Sequence, residues 1–205
     1  ADLAERAAVA SPGFAPAAAM AARLLIDRRR HERAADLIEA AWSLNPHPAL
    51  ARLYANLRKS DTTAKRSERI QGLAALSPDH RESKLMLAER ALDARNADAA
   101  RADLAPLLAE GAPSARLCAL AARLARLDGD DDLARRWITR AAHAAGEPDW
   151  SDIDGQGRAF AYGPEDWARM VYAWGDEARL IHPRHERYEI AAEAVPETAL
   201  LEAPK

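Results

Sequence analysis

The chain has 205 residues, of which 51 are Ala, 25 Arg and 4 Lys, with 49% hydrophobic but only 5% aromatic side chains. That apolar content excludes global disorder, and the shortage of aromatic residues and glycine argues against a β-sandwich or barrel. The net charge of -3 gives nucleic acid no global attraction; residues 1–148 carry 23 basic and 20 acidic side chains, whereas residues 149–205 carry 6 and 12. This asymmetry reads either as two regions with different surface roles or as an acidic, solvated tail. Ala, Leu, Arg and Glu dominate, and all four favour helix, so the predicted class is all-α.

Residues 1–11 read as the second helix of a preceding unit, a remnant that opens inside a helical pattern at Ala1. Prolines then recur at Pro12, Pro46, Pro78, Pro113 and Pro148, at intervals of 34, 32, 35 and 35 residues. Each interval reads as helix, polar break, helix, with breaks at residues 27–32, 59–62, 96–98 and 128–132. A proline cannot continue a helix and presets the turn into the next one. Residues 12–148 are therefore predicted to form four helix pairs. One pair is too small to bury its own apolar stripe, so neighbours must stack into a continuous core.

Small residues sit where two helix backbones would approach. The first pair offers Ala22, Ala34 and Ala41, and the fourth repeats them as Ala122, Ala134 and Ala141, with Ile38 and Ile138 expected to supply bulk between. The third pair has Ala88, Ala100 and Leu107, and the second departs most, with Tyr54, Arg66 and Leu73. The spacing resembles the tetratricopeptide repeat, and that resemblance implies a right-handed superhelix of about four pairs.

After Pro148 the period breaks. Seven of the eleven aromatic residues fall there: Trp150, Phe160, Tyr162, Trp167, Tyr172, Trp174 and Tyr188. Residues 149–188 are expected to form an irregular, aromatic-rich capping segment over the last pair, or else an aromatic surface for a partner or planar ligand. Within it, Gly163-Pro164-Glu165-Asp166 signals a helix start, and Trp167, Met170, Val171 and Trp174 are spaced to share an apolar face. Residues 189–205 read as a disordered tail.

Several runs together resemble the HemY proteins, in their alphaproteobacterial form. They are Ala40-Ala41-Trp42-Ser43-Leu44-Asn45-Pro46-His47-Pro48, Leu73-Ala74-Ala75-Leu76-Ser77-Pro78-Asp79-His80, and Pro113-Ser114-Ala115-Arg116-Leu117-Cys118. Glu147-Pro148-Asp149-Trp150, Phe160-Ala161-Tyr162 and Leu180-Ile181-His182-Pro183 extend the likeness towards Arg187. The resemblance implies a scaffold or regulator of late haem biosynthesis at the bacterial inner membrane. It also implies a cytoplasmic repeat region, an N-terminal membrane hairpin not contained in this sequence, and a partner such as ferrochelatase or another late pathway enzyme.

Chemistry-bearing motifs are few. The sequence has no phosphate-cradling glycine loop, no His-Glu-x-x-His and no Gly-x-Ser-x-Gly, so no catalytic residue is expected and the chain is read as a non-enzyme. The single Cys118 excludes an internal disulfide and a multi-cysteine zinc site, and is expected in the core. No metal site is predicted. His182 and His185, beside Trp174, are candidate ligands for a haem or porphyrin, or simply two histidines in a surface turn. His31, His47, His80 and His143 fall at loop or helix-end positions. The stronger candidates are partner contacts on the first helices of the pairs, which line the concave side in such an array: Arg23, Arg52, Arg58, Glu89, Arg116, Arg123 and Arg126. Six of these seven are arginines suited to bidentate pairing with carboxylates, or they are solubilising surface charge. A tetrapyrrole carrier and a generic envelope-assembly adaptor stand as alternatives to the scaffold.

Overall fold

The computed structural model describes residues 2–58, 60–144 and 162–181. The chain divides into two units, residues 1–147 and 148–205. The described residues are all-α, with ten helices and no strand: α1 (Asp2–Ala10), α2 (Ala15–Asp27), α3 (His31–Leu44), α4 (Pro48–Ala55), α5 (Thr63–Ala75), α6 (Arg81–Asp93), α7 (Ala97–Ala109), α8 (Ala115–Leu127), α9 (Asp131–His143) and α10 (Pro164–Glu177). Pro148, Trp150, Phe160, His182, His185, Tyr188 and residues 189–205 lie outside the described residues, and with them the expectations placed there.

In the first unit Pro12, Pro46, Pro78 and Pro113 each fall between helices, ahead of α2, α4, α6 and α8. Successive helices pack on one another from α1 to α9. In addition α2 meets α4, α4 meets α6, and α6 meets α8. The first helices of the pairs thus form a layer of their own. The second helices, α3, α5, α7 and α9, make at most marginal contact with each other.

The core follows a repeated register on the second helices, at positions i, i+4 and i+7, which share one face. Ala34, Ile38 and Ala41 are buried on α3; Ile70 and Leu73 on α5; Ala100, Leu104 and Leu107 on α7. Leu104 and Leu107 join Leu85, Ala88 and Leu92 of α6 and Leu117 and Leu120 of α8 in one apolar cluster. On the first helices Ala22 and Ala88 are fully buried, and Ala122 nearly so.

Two expectations fail at the fourth pair and at α10. Ile138 occupies the position of Ile38, yet is 44% exposed where Ile38 is 0%. The reason is position: α3 packs between α2 and α4, whereas α9 is the last helix of its unit and packs chiefly on α8. On α10, Met170 and Asp166 are buried, Trp167 and Trp174 are half-buried, but Val171 is 52% exposed. Its buried face centres on Met170, and the next residue points about 100° away round the helix, which takes Val171 off it. The acid at Asp166 belongs to that face because its Oδ2 accepts the Gly163 backbone N–H at 3.1 Å, closing the helix start. The Tyr162 and Trp167 rings meet edge to face, with centroids 6.1 Å apart.

The second pair is irregular in a legible way. α4 has only 8 residues, and residues 56–62 separate it from α5. Tyr54, standing where the other pairs place Ala, is buried; its hydroxyl donates to Glu39 and its carbonyl accepts Arg69 Nη1 at 3.1 Å. Burial, then the Glu39 carboxylate, hold its phenol well above the usual range. Arg66 is exposed, so no helix backbone approaches closely there.

Local chemistry sets the ends of the first helices. α2, α6 and α8 each finish in the same turn: Arg30 N–H reaches Leu25 O at 2.9 Å, Asn96 N–H reaches Ala91 O at 2.8 Å, and Asp130 N–H reaches Ala125 O at 2.9 Å. This wrap requires a left-handed residue just past the helix. The residues there are Arg29 (φ 59°), Arg95 (φ 56°) and Gly129 (φ 82°). The following residue then caps the next helix: Asn96 accepts Ala99 N–H at 3.1 Å and Asp130 accepts Leu133 N–H at 2.8 Å. Arg30 has no side-chain acceptor and makes no cap. The breaks are accordingly narrower than the sequence suggests, because His31 and Glu32 already belong to α3, Ala97 and Asp98 to α7, and Asp131 and Asp132 to α9.

Candidate functional site

The layer of first helices carries the predicted contact residues. Arg23 is half-buried on α2, Arg52 is exposed on α4, and Arg58 is exposed just beyond α4. Glu89 lies on α6; Arg116, Arg123 and Arg126 lie on α8. The residues are not equivalent once packed. Arg116 donates from Nη1 to Glu82 Oε2 at 2.8 Å and from Nη2 and Nε to Glu89 Oε1 at 3.1 and 3.2 Å. Glu82 and Glu89 are seven residues apart, two turns along one face of α6, so a single guanidinium clamps α8 across that face. Its side chain is 25% exposed, against 13% for Glu82 and 41% for Glu89. Arg116 and Glu89 are therefore each other's partners within the α6–α8 packing, rather than two independent contacts facing outwards.

Arg81 of α6 reinforces the same interface by donating to Ser114 Oγ at 3.1 Å. Arg123 Nη2 reaches Asp93 Oδ1 at 2.6 Å, with both side chains largely exposed. Arg126 is exposed, and together with Arg123, Arg95, Leu92 and Leu127 it lines a cleft of about 230 Å³. Arg58 stands elsewhere, 3.9 Å from Glu32, in a cleft of about 420 Å³ shared with Arg29, Arg30, His31 and Arg33. Thus Glu89 meets Arg116, Arg123 shares a cleft with Arg126, and Arg58 joins neither group.

Histidines that looked unremarkable turn out to be helix caps. His47 Nδ1 accepts the Ala49 N–H at 3.1 Å, and His80 Nδ1 accepts the Glu82 N–H at 3.1 Å. They start α4 and α6 at equivalent places, and Ser114 does the same for α8, accepting Leu117 N–H at 3.3 Å. An acceptor nitrogen must be unprotonated, so the role requires neutral imidazole. His47 is buried, and burial, then the charges of Arg52 and Arg116, bring its pKa down to about 3. His80 is exposed and is lowered by residual burial and by Arg81. These caps were missed from the sequence, although their recurrence at residues 47, 80 and 114, just after Pro46, Pro78 and Pro113, was a signal that could have found them; Glu82, the more buried partner of Arg116, carried no such signal.

Cys118 is fully buried on α8, with Sγ 3.9 Å from the Pro113 carbonyl, and burial raises its thiol pKa. A protonated, buried thiol is neither nucleophile nor ligand. Among the described residues no group of three or more His, Cys, Asp or Glu is arranged to hold a metal ion. Trp174, the described member of the candidate tetrapyrrole contacts, is half-buried on α10, and its companions His182 and His185 lie outside the described residues. No helix among the described residues is long and apolar enough to cross a membrane.

No protein-family model, no curated protein and no solved structure matches this chain.

Proposed function

We propose that the chain is a non-catalytic interaction scaffold built on tetratricopeptide-like helix pairs. The layer formed by α2, α4, α6 and α8 is the carrying observation. Each first helix touches the next, so their outward side is one continuous face on which side chains from four pairs are held in fixed register. Such a face suits recognition of an extended segment of another protein.

The pathway in which it works is proposed from the HemY-like runs. On that reading the scaffold serves late haem biosynthesis at the bacterial inner membrane, and holds ferrochelatase or a neighbouring enzyme against the first-helix face. Arg23 on α2 and Arg52 on α4 are the contacts chosen for the test, because they are predicted contact residues on two successive first helices of that layer. The test is affinity capture from solubilised membranes of the source cell with this chain as bait, followed by a direct binding measurement on purified ferrochelatase. Saturable binding that Arg23→Glu/Arg52→Glu weakens at least tenfold is the expected result. Absence of binding refutes the pathway, and binding indifferent to the two charge reversals refutes the face.

A further inference from the structure

The turn between α2 and α3 breaks two local rules at once. Its residues are Arg28-Arg29-Arg30, where the equivalent turns read Ala94-Arg95-Asn96 and Asp128-Gly129-Asp130. Arg29 occupies the left-handed position that Gly129 fills in the fourth pair, and a side chain there is disfavoured relative to glycine. Arg30 occupies the cap position that Asn96 and Asp130 use productively, and caps nothing. Positions where local preference is overridden in this way are where function is expected.

Both arginines line the 420 Å³ cleft, together with Arg58 from the end of α4. In that cleft Arg33 is held by Glu5, and Arg58 faces Glu32. Arg29 and Arg30 meet no carboxylate among the described residues. The second cleft, of about 230 Å³, repeats the arrangement between the ends of α6 and α8. There the left-handed Arg95 and the exposed Arg126 are likewise without a carboxylate partner among the described residues, while Arg123 is taken by Asp93. Two arginine clefts thus lie along one edge of the first-helix layer, each at the C-terminal ends of two neighbouring helices.

We propose that this edge binds an acidic peptide segment of a partner protein, one carboxylate cluster entering each cleft. Arginine's planar fork suits carboxylates, and its charge persists at any physiological pH. The clefts are two interhelical steps apart, roughly 20 Å at 8–10 Å per step, a span that about six extended residues cover. A membrane surface or a nucleic acid fits less well, because the acids Asp27, Glu32, Asp93 and Asp128 are exposed along the same edge and interrupt its positive charge, which a continuous polyanion would have to span. Two separate carboxylate clusters match that interrupted pattern.

The inference does not depend on the haem-pathway reading, and its residues are distinct from Arg23 and Arg52, so either can fail alone. The experiment is fluorescence anisotropy on the full chain with a labelled peptide bearing two Glu-Glu-Glu clusters separated by six Gly/Ser residues. Saturable binding is expected, weakened at least tenfold when every Glu is replaced by Gln. The variant Arg29→Gly/Arg30→Asn installs the glycine found at residue 129 and the asparagine found at residue 96, so it folds; it should weaken binding about tenfold, with Arg95→Gly adding a further loss. Closing the spacer to one residue should reduce binding to that of a single cluster. Binding that survives Arg29→Gly/Arg30→Asn, or that is absent in the parent chain, overturns the proposal. So does tighter binding to anionic phosphatidylglycerol vesicles or to a single-stranded oligonucleotide of equal charge.

Discussion

Ile38 and Ile138 occupy the same register position in the first and fourth pairs, but only Ile38 is closed over. Replacing each with Ala separates the contribution of sequence pattern from that of burial. Ile→Ala removes three carbon atoms, worth about 2.4 kcal/mol at about 0.8 kcal/mol per buried carbon. Because Ile38 is completely enclosed, a cavity term adds to this, and the total loss is expected at about 2.5–4 kcal/mol. At Ile138, 44% exposed, less than two thirds of the transfer term applies and no closed cavity forms. The better helix propensity of Ala returns a few tenths of a kcal/mol, leaving a loss of about 1 kcal/mol or less. Urea unfolding followed by circular dichroism at 222 nm measures both. Equal losses at the two sites would refute the reasoning, since they would mean that the face of α9 is as well covered as that of α3.

Other expectations follow from the polar contacts. His47 is held neutral in the folded chain, with its pKa down to about 3, whereas in the unfolded chain it titrates near 6.5. The folded state therefore binds fewer protons between those values, so its stability is complete above pH 6.5 and falls as pH drops towards 3. The slope should approach about 1.4 kcal/mol per pH unit from this group; His47→Asn, which keeps a capping acceptor, should remove that component from the pH dependence of urea unfolding. Arg116→Ala should cost about 1–3 kcal/mol, because it removes the guanidinium that ties Glu82 and Glu89 of α6 to α8. In double-mutant cycles the coupling to the more buried Glu82 should exceed that to Glu89, and an order reversed would refute the geometry. Arg29→Gly and Arg95→Gly should each raise stability by about 0.5–1 kcal/mol in thermal or urea unfolding, by relieving left-handed backbone at a side-chain-bearing residue.

Proline spacing and the helix-forming composition were enough to read an all-α chain. The prolines between helices suffice because proline lacks the N–H that a helix interior needs, and because Ala-rich segments have no competing local structure; Pro106, inside α7, shows that a single proline does not by itself end a helix. The buried small residues Ala22, Ala34, Ala88, Ala100 and Ala134 were likewise readable, since their register repeats with the helix period. What sequence periodicity could not assign was exposure at the end of a unit. Ile138 and Val171 satisfy the same pattern as buried residues, but burial depends on whether another helix arrives to cover them.

The arginines divide along the same line. Composition made arginine the evident candidate for contacts, yet only packing separates Arg116, consumed between Glu82 and Glu89, from Arg29, Arg30, Arg95 and Arg126, which meet no described carboxylate. Partners that come from a different helix pair, such as Glu82 and Arg116, are 34 residues apart, and no local pattern joins them. The sequence alone determined the helices and their repeat, because those depend on neighbours within a turn or two; tertiary structure decided which charges neutralise each other and which remain at the surface, because that depends on which helices meet.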